Sequence, residues 1–388
     1  MRQVPILFLS VTSILGGGSE VVYTLVKSIH ELKKNGIEYK AIVACPADGE
    51  YFQLMKNLGI EVYDLPLRKL KLSNFYEIRK ICKRHSIQLI HTHGKGAGLF
   101  GRIVSFLSRI TSVHSFHGYD CDRMRPIHRG MYIAYESFFS FFTDAYIFVS
   151  DSEKDKFDAS HSLVSNAQKN VVFNGIDPSR LNISRPRREK FGLLEDDILI
   201  VTMARVTEQK GLEYLIDALF ELKKSFDQDD VIKIIIAGDD IKEESTYVHE
   251  KGYREKILKK IDECGLTDSI ILRKKSSDVL SLVSVCDFYL SSSLWEGFSL
   301  ALVEAMLLKL PIVATDVTGN RDAIVHGVTG LLVPPKDSSR IAGALIELIN
   351  DPDYSESLAN NACQSAKKLF SYDAMVDKTV DVYQSIIE

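Results

Sequence analysis

Two glutamates and the short loop between them carry the clearest chemical signal in the sequence. Glu296 and Glu304 are separated by seven residues, in the segment E-G-F-S-L-A-L-V-E. The residues from Leu300 to Leu310 predict a helix that is apolar on every side, with Ser299 as its N-cap. Because such a helix is normally buried, the carboxylate of Glu304 needs hydrogen-bonding partners, and the hydroxyl pair of a sugar would supply them.

The loop before this predicted helix is suited to an anion. Gly297 allows the backbone to approach a ligand closely, and the free N–H groups of Ser299 and Leu300 offer an anion site. Glu296 stands beside that site as another acceptor of hydroxyl groups, although a solvated surface acid is also a reasonable interpretation of it. In chain order the segment therefore offers a hydroxyl acceptor, a phosphate site and a second hydroxyl acceptor.

This segment resembles the signature of retaining glycosyltransferase family 4, whose members have the GT-B fold and use nucleotide-sugar donors. The resemblance implies that Glu296 holds hydroxyls of the donor sugar and that Glu304 holds the ribose. It also implies that the backbone of Phe298–Leu300 holds the diphosphate. Ser299 stands where the family usually has Gly or Pro, a difference that bears on donor choice.

A second segment, Met203–Gly211, follows a predicted strand and contains Arg205 and Lys210. A guanidinium and an ammonium group at the end of a parallel strand, just before a helix, form a good diphosphate clamp. The segment resembles the family motif G-R-[LV]-x-x-x-K-G, in which the Arg and the Lys bind the donor phosphates. Ala204 replaces the common Gly of that motif.

Two further candidates lie where parallel strands are expected to end, which is where such folds bind ligands. Gly17 and Gly18 follow the first strand in a predicted loop, and a glycine triplet is a tight turn about half the time. They resemble the family's G-G-x-E segment, which lies beside the donor diphosphate and the acceptor. His117 resembles the family's active-site histidine, which contacts the donor sugar. Val21 stands where a dinucleotide fingerprint needs Gly, which excludes a nicotinamide dehydrogenase.

Four histidines make metal a reasonable first hypothesis, namely His91, His93, His114 and His117. None shows the paired helical spacing of a zinc site, and few carboxylates lie nearby. We therefore expect no metal and no cofactor, since the nucleotide sugar is a substrate. Apart from His117, these histidines are interpreted as satisfied strand-end or loop residues, with His93 as an outside candidate for the acceptor side.

The elements that position these residues alternate between strands and helices. Apolar runs predict strands at 4–11, 39–44, 87–91, 111–116 and 145–149, then at 197–203, 231–237, 269–272, 287–291, 311–314 and 330–333. The expected fold class is α/β. The resemblance specifies GT-B, with two Rossmann-like doubly wound parallel-sheet domains and a cleft between them. The predicted domains are 1–178 on the acceptor side, 179–370 for the nucleotide sugar, and 371–388 as a helix that crosses back to the first domain.

Composition and charge narrow the class of protein. A chain of 388 residues is long enough for two domains, and its six scattered cysteines favour a reducing compartment. The N-terminal apolar run imitates a signal peptide but fits a buried strand better, so a cytoplasmic location is expected. Residues 1–180 contain 23 Lys and Arg against 17 Asp and Glu, whereas the remainder contains 25 against 35. The two halves are therefore expected to meet different partners.

The basic excess is concentrated at 68–84 and at 123–129, beside an aromatic-rich segment that ends at Phe142. One interpretation is contact with the inner, anionic face of a membrane. The other, equally favoured, is that the aromatic residues pack in the core while the cations form a solvated face. Nucleic acid is not expected as a partner, because the aromatic residues recur at helical spacing rather than on a sheet.

With the resemblance, these features predict a retaining glycosyltransferase that uses a nucleotide-diphosphate sugar. The acceptor would be a glycan or a lipid-linked molecule in cell-surface polysaccharide biosynthesis. UDP is favoured over GDP, although the cations Arg273–Lys275 stand where the family backbone holds the base. Two alternatives are a GT-B nucleotide-sugar epimerase, which would need an acid/base set that the glutamate pair does not supply, and a non-catalytic nucleotide-sugar-binding subunit. The intact set of catalytic and donor-binding residues argues against the second.

Overall fold

The computed structural model describes residues 2–387 apart from 15, 120, 162–166, 182, 184, 227–231, 239–247 and 275–277. The chain divides into two compact units: unit 1 comprises Met1–Gly175 and Ser371–Glu388, and unit 2 comprises Ile176–Phe370. Lys275, one of the three cations noted above, lies outside the described residues, as does the first residue of the strand predicted at 231–237. Within the described part of the chain, no helix combines the length and apolar character needed to cross a membrane.

Unit 1 alternates strands and helices around a mainly parallel sheet. Its elements are β1 (Arg2–Ser10), α1 (Gly17–Ile29), β2 (Lys33–Lys34), β3 (Ile37–Cys45), α2 (Glu50–Asn57), β4 (Glu61–Asp64), α3 (Leu72–His85), β5 (Leu89–His93), α4 (Lys95–Ser108), β6 (Thr111–Ser115), α5 (Pro126–Phe139), β7 (Ala145–Phe148), α6 (Asp151–Ser160), β8 (Gln168–Val171) and the C-terminal helix (Tyr372–Ile387). The strand order is β2-β3-β1-β5-β6-β7-β8, with β4 beside β3. Ser10 is opposite His93, and His93 is opposite Ser115, so β1, β5 and β6 end at the same level.

The five strands predicted for the first half are present as β1, β3, β5, β6 and β7. The prediction missed the two-residue strand β2. It also missed β4 and β8, whose sequences are E-V-Y-D and Q-K-N-V. Both are short, and most of their residues are partly or fully exposed. Such strands have no apolar run, so a search for buried strands cannot detect them.

Unit 2 is built around a six-stranded sheet that is parallel throughout its described strands. Its elements are β9 (Ile198–Ala204), α7 (Leu212–Leu222), β10 (Ile232–Gly238), α8 (Val248–Glu263), β11 (Ile270–Arg273), α9 (Val279–Val283), β12 (Phe288–Ser291), α10 (Leu300–Leu307), β13 (Ile312–Thr315), α11 (Asn320–Ala323), β14 (Leu331–Val333), α12 (Ser338–Asn350) and α13 (Pro352–Leu369). Each of the six strands predicted for the second half is present. The strand order is β11-β10-β9-β12-β13-β14, so the chain moves outward from β9 to β11 and then returns to the other side of β9. Such a reversal leaves a crevice at the carboxyl ends of β9 and β12, where open parallel sheets bind ligands.

The aromatic segment of unit 1 is divided between core and surface. Tyr132 and Phe139 are buried, and Tyr132 packs in an aromatic cluster with Tyr119. In contrast, Phe138 and Phe141 are 58% and 67% exposed. Packing of the aromatic residues in the core therefore holds for part of the segment, and contact of the exposed part with a membrane stays a prediction.

A buried ion pair fixes α5 against α4. Arg102 and Glu136 are completely buried, with Nη1 of the arginine 2.7 Å from Oε2 of the glutamate. The Nε–H of Arg102 also donates to the carbonyl of Gly98 at 3.0 Å. A buried charge that loses its partner is strongly destabilising, so this pair restricts where α5 can lie on α4.

Candidate active site

The turn after β9 and the loop after β12 are joined by hydrogen bonds. Ser292 Oγ donates to the carbonyl of Lys210 at 2.8 Å, and the N–H of Leu294 donates to the carbonyl of Gln209 at 2.7 Å. Gly211 permits this contact, because its φ is +55° and a Cβ there would lie 2.4 Å from the carbonyl oxygen of Ser292. The two segments identified separately in the sequence are therefore parts of one site at neighbouring strand ends.

Glu296 lies at the centre of this site, and its side chain is only 7% exposed. Lys210 Nζ is 2.5 Å from Oε1, Ser293 Oγ donates to the same oxygen at 2.7 Å, and Gln209 Nε2 is 3.3 Å from Oε2. Three donors therefore orient the carboxylate, and the ammonium group compensates its charge. The interpretation of Glu296 as a solvated surface acid is wrong, because its side chain is buried and paired with Lys210. The sequence could not show this pairing.

Glu304 is largely buried, with a side-chain exposure of 12%. Arg180 Nη2 lies 3.6 Å from its Oε1, so a guanidinium supplies a partner for this carboxylate. Burial raises the pKa of Tyr289, and the negative charges of Glu296 and Glu304 raise it further. Both carboxylates therefore lie within electrostatic range of one buried phenol.

The N-terminus of α10 has the predicted cap. Ser299 Oγ accepts from the N–H of Leu302 at 3.3 Å, and the helix begins at Leu300. The helix ends at Leu307 rather than at the predicted Leu310, and Lys309 then adopts a φ of +59°. The first-turn N–H groups of a helix have no partner within the helix, so they remain suited to an anion.

The loop before α10 is supported by the segment after β13. Gly319 has a φ of +84°, and a Cβ there would lie 2.5 Å from the carbonyl oxygen of Gly297 and 3.0 Å from Cα of Phe298. Thr315 Oγ1 donates to the carbonyl of Ser293 at 2.5 Å. The first contact fixes the backbone at Phe298, where a diphosphate is expected, and the second fixes the beginning of the same loop at Ser293.

Arg205 directly follows β9, and its side chain is exposed. It forms no hydrogen bond or ion pair through its guanidinium with the part of the chain that the structure describes. The structure thus brings Lys210 to Glu296 but leaves Arg205 at the rim of the site. An exposed cation at this position is available to a phosphate group.

The strand-end histidines of unit 1 form a buried cluster. The ring nitrogens of His91 hydrogen-bond to the hydroxyls of Tyr383 and Ser115, at 2.6 and 2.7 Å, so His91 is satisfied as predicted. His93 Nδ1 lies 2.9 Å from His117 Nε2. Burial lowers the pKa of His91 to about 3 and that of His117 to about 4, so both imidazoles are neutral at pH 7.

His114 is also in this cluster, and Thr92 Oγ1 lies 2.7 Å from its Nδ1. Its Nε2, like Nε2 of His93, is buried and has no hydrogen-bond partner in the described structure. His93 and His114 are therefore not the fully satisfied histidines that the sequence analysis expected. The sequence pattern predicts that these histidines lie on strands, but it cannot show which of their ring nitrogens form hydrogen bonds.

Gly17 and Gly18 form the first turn of α1 rather than a loop before it, and Gly16 is the N-cap. A Cβ on Gly18 would lie 4.0 Å from Cγ of His117. The first turn of α1 and the ring of His117 are therefore neighbours. The helix starts earlier than the sequence predicted because glycines are poor helix formers that a periodicity search excludes.

The sequence analysis missed one buried carboxylate that holds the backbone next to His117. Glu153, in the first turn of α6, accepts from the N–H of Gly118 at 2.7 Å and from that of Val149 at 2.9 Å. Ser150 caps the same helix through its side chain. The S-x-x-E spacing of Ser150 and Glu153 is a helix-start signal that could have identified this residue.

The analysis also missed Gln209, Ser293 and Arg180, for which the sequence carries no comparable signal. Near the predicted base site, Arg273 Nη2 donates to the carbonyl of Phe191 at 2.7 Å. Among the residues that the structure describes, no three His, Cys, Asp or Glu side chains are grouped to hold a metal ion. The absence of a cofactor stays a prediction.

Two family models match successive parts of the chain. Residues 15–180 match the family described as Glycosyltransferase Family 4, and residues 184–365 match the family described as Glycosyl transferases group 1. The chain is similar to the capsular polysaccharide biosynthesis glycosyltransferase CapM of Staphylococcus aureus, with 26% identity over 75% of each protein. It is also similar to an Escherichia coli UDP-Gal:alpha-D-GlcNAc-diphosphoundecaprenol alpha-1,3-galactosyltransferase, with 21% identity over 81% of this chain and 80% of that protein.

Solved structures have the same fold. The crystal structure of HepE from Anabaena in complex with UDP and glucose superposes with a TM-score of 0.83 and 22% identity, covering 98% of this chain and 100% of that one. The sucrose-phosphate synthase of Thermosynechococcus elongatus superposes with a TM-score of 0.78 and 19% identity, over 98% of each chain. These similarities establish the fold of the chain.

Replacing Gly319 by Ala should displace the Gly297–Phe298 backbone and weaken the binding of UDP. The φ of +84° and the 2.5 Å approach to the Gly297 carbonyl both oppose a Cβ. Strain of this kind costs on the order of 1–3 kcal/mol, so we expect Kd to rise about 10-fold or more. Trp295 is the single tryptophan of the sequence and adjoins this loop, so its fluorescence can follow the titration.

The matched control is Gly343→Ala, at an exposed position in α12 where a Cβ meets nothing within 4 Å. It should leave the Trp295 emission and the UDP affinity unchanged. An unchanged Kd in the Gly319→Ala variant would contradict the role of this loop in nucleotide binding.

Proposed function

The chain is a glycosyltransferase of the group 1 and family 4 type with the GT-B fold, and from this premise we propose a retaining enzyme that uses a UDP-sugar. The acceptor is a glycan or a lipid-linked molecule of cell-surface polysaccharide biosynthesis. The observation that carries this proposal is the contact between Lys210 and Glu296 at 2.5 Å. The epimerase and the non-catalytic subunit are not pursued, because the matching families and named relatives are transferases.

The Lys210–Glu296 pair fits a nucleotide-sugar donor, because that molecule carries anionic phosphate groups next to sugar hydroxyl groups. The ammonium group of Lys210 is placed for a phosphate oxygen, while the carboxylate of Glu296 accepts from a sugar hydroxyl. The exposed guanidinium of Arg205 and the N-terminus of α10 add positive charge for the diphosphate. Glu304, near Arg180, would accept the ribose hydroxyls.

The preference for UDP and for retention is supported by named relatives. The Escherichia coli relative is named for UDP-Gal and for an alpha-1,3 product, and HepE was crystallised with UDP. UDP-galactose is an alpha-linked donor, so an alpha-linked product corresponds to retention at C1. The diphosphoundecaprenol in the name of that relative supports a lipid-linked acceptor here.

In the proposed reaction the acceptor hydroxyl oxygen forms a bond to C1 on the face from which the diphosphate departs. The electron pair of the broken C1–O bond passes to the nucleoside diphosphate, and a phosphate oxygen takes the acceptor proton. Lys210, Arg205 and the N-terminus of α10 stabilise the charge that develops on the leaving group. Because these groups supply the positive charge, the proposal requires no metal.

Arg205→Ala and Lys210→Ala should each lower kcat by about 10²–10³-fold, because electrostatic stabilisation of the leaving group is lost. Release of UDP from the UDP-sugar in the presence of acceptor measures this effect. Lys259→Ala is the control, since this lysine is 76% exposed on α8. Near-normal turnover in both variants would rule out the clamp.

Activity that EDTA abolishes and a divalent ion restores would contradict the metal-free reaction.

Glu304→Gln and Glu296→Gln should have different effects. The first should weaken binding of free UDP, because a neutral amide is a poorer acceptor for the ribose hydroxyls. The second should leave UDP affinity near normal and reduce transfer, because Glu296 contacts the transferred sugar. Calorimetric titration with UDP and steady-state rates separate the two. Equal losses of UDP affinity would show that the two roles are misassigned.

A peripheral membrane contact would bring unit 1 to a lipid-linked acceptor. Its exposed apolar side chains form an aromatic patch, defined here as Phe106, Leu107, Phe138, Phe141 and Phe142. The ring of Phe142 lies 4.6 Å from that of Phe106 and 5.1 Å from that of Phe138, centroid to centroid. Phe106, Leu107, Phe138 and Phe141 are each more than half exposed. Such a patch, on a unit with exposed cations, fits the interface of an anionic bilayer.

The protein should float with vesicles that contain phosphatidylglycerol, and salt should weaken the binding. Replacing Arg79, Lys80, Lys83 and Arg84 by Ser should release it, since each basic residue near the surface contributes on the order of 1 kcal/mol. Phe138→Ser with Phe141→Ser should also release it, whereas Leu194→Ser, at an exposed position of unit 2, should not. A wild-type protein that does not bind these vesicles at low salt would contradict the membrane contact. The acceptor would then be soluble, and the cations would form only a solvated surface.

A further inference from the structure

His93 and His117 are joined directly through their imidazole rings. His93 ends β5, and His117 lies two residues beyond the end of the neighbouring strand β6. Nδ1 of His93 is 2.9 Å from Nε2 of His117, with the ring centroids 5.2 Å apart and the ring planes inclined by 23°. This distance is a hydrogen bond, so one of the two nitrogens carries the shared proton.

The bond leaves a single nitrogen of His117 for any other partner. Its Nδ1 is buried and has no hydrogen-bond partner in the described part of the chain. The Cγ end of the ring, which carries Nδ1, lies near Gly18 at the start of α1, whereas Nε2 lies toward His93. A ligand that contacts His117 therefore meets Nδ1.

Counting protons reduces the choice to two arrangements, which differ in the N–H that is left without a protein acceptor. Both imidazoles are neutral because burial lowers both pKa values, so each ring carries one proton. If His117 donated through Nε2, His93 would carry its own proton on Nε2, which is buried and has no partner in the described structure. A buried N–H without an acceptor is rarer than an acceptor without a donor. In the arrangement in which His93 donates through Nδ1, the N–H without a protein acceptor is instead Nδ1 of His117, and a bound sugar hydroxyl can accept from it. With the sugar bound, only this arrangement leaves no N–H of the pair without an acceptor.

We propose that His93 is a positioning residue that donates from Nδ1 to Nε2 of His117 and holds His117 in the tautomer protonated on Nδ1. His117 then presents an N–H donor to a hydroxyl oxygen of the transferred sugar. The inference rests on the proposed function and on the family resemblance, which implies that His117 contacts the donor sugar. No proton is transferred in this role, because His117 acts as a fixed donor rather than as an acid or base.

The surrounding residues keep His93 in this orientation. The ring of His91 lies 4.1 Å from that of His93, centroid to centroid, and Phe8 stacks on His93 at 6.3 Å. His91 is itself fixed by the hydroxyls of Tyr383 and Ser115. Tyr383 belongs to the C-terminal helix, so this helix supports the histidine pair within unit 1.

The tautomer can be measured in the wild-type protein without any activity assay. Imidazole nitrogen NMR of protein labelled with 15N-histidine distinguishes a protonated ring nitrogen from an unprotonated one, and His117→Gln identifies the signals of His117. With the UDP-sugar bound, we expect a protonated Nδ1 and an unprotonated Nε2 in His117 at pH 7. A protonated Nε2 in this complex would overturn the proposal.

Two variants of His93 test whether this residue sets the tautomer. Asn places an amide group near the position of Nδ1 and can restore the bond, whereas Leu has a similar size and cannot. His93→Leu should change the His117 nitrogen signals and lower kcat/KM for the UDP-sugar about 10-fold, as expected for one lost hydrogen bond. His93→Asn should recover both to within about 3-fold of the wild type. UDP affinity, which depends on unit 2, should be unchanged in both variants.

Equal impairment of the Leu and Asn variants would overturn the proposal, because it would mean that His93 only fills space. A Leu variant with wild-type nitrogen signals would overturn it as well. The proposed role of His117 is tested separately by His117→Ala. Wild-type transfer in that variant would remove the sugar contact from the proposed function, while the nitrogen signals would still report whether His93 and His117 are coupled.

Discussion

The buried carboxylate of Glu296 is the constraint on which the site in unit 2 depends. A charge that loses water costs several kcal/mol unless donors replace the water, so Glu296 is stable only where such donors converge. Lys210 and Gln209 belong to the turn after β9, and Ser293 belongs to the loop after β12. The pairing of β9 with β12 therefore brings the donors of two loops to one side chain. The positive φ of Gly211 serves the same requirement, since a Cβ there would separate the two loops.

The strand-end histidines of unit 1 are polar groups that are buried without an ion pair. They are neutral, so no ion pair is needed and the positions of single protons determine the hydrogen bonds. Charged groups are also buried in unit 1: Glu153 accepts from the backbone N–H groups of Gly118 and Val149, and Glu136 pairs with Arg102. Unit 2 thus buries a carboxylate with a compensating ammonium group, whereas the strand-end histidines of unit 1 are buried as neutral groups.

The sequence predicted those features that depend only on residues close together in the chain. The cap of α10 by Ser299 and the strands of unit 2 follow from local patterns, and both were predicted. The pairing of Lys210 with Glu296 depends on strand order, which no local pattern contains. The edge strands β4 and β8 were missed because they bury too little apolar surface to leave a run. Glu304 was expected to be buried because its neighbours are apolar, but its position on α10 leaves it partly open and beside Arg180.

Ser299 shows how a departure from the family pattern can be compatible with the same function. Its hydroxyl accepts from the N–H of Leu302, the third residue of α10, and such a cap contributes about 1 kcal/mol to helix stability. The N–H groups of Leu300 and Ala301, the first two residues of α10, are not used by this cap. The earliest N–H groups lie at the positive end of a helix and are the ones suited to an anion. Because the cap occupies a later N–H group, serine at position 299 is compatible with the proposed diphosphate site.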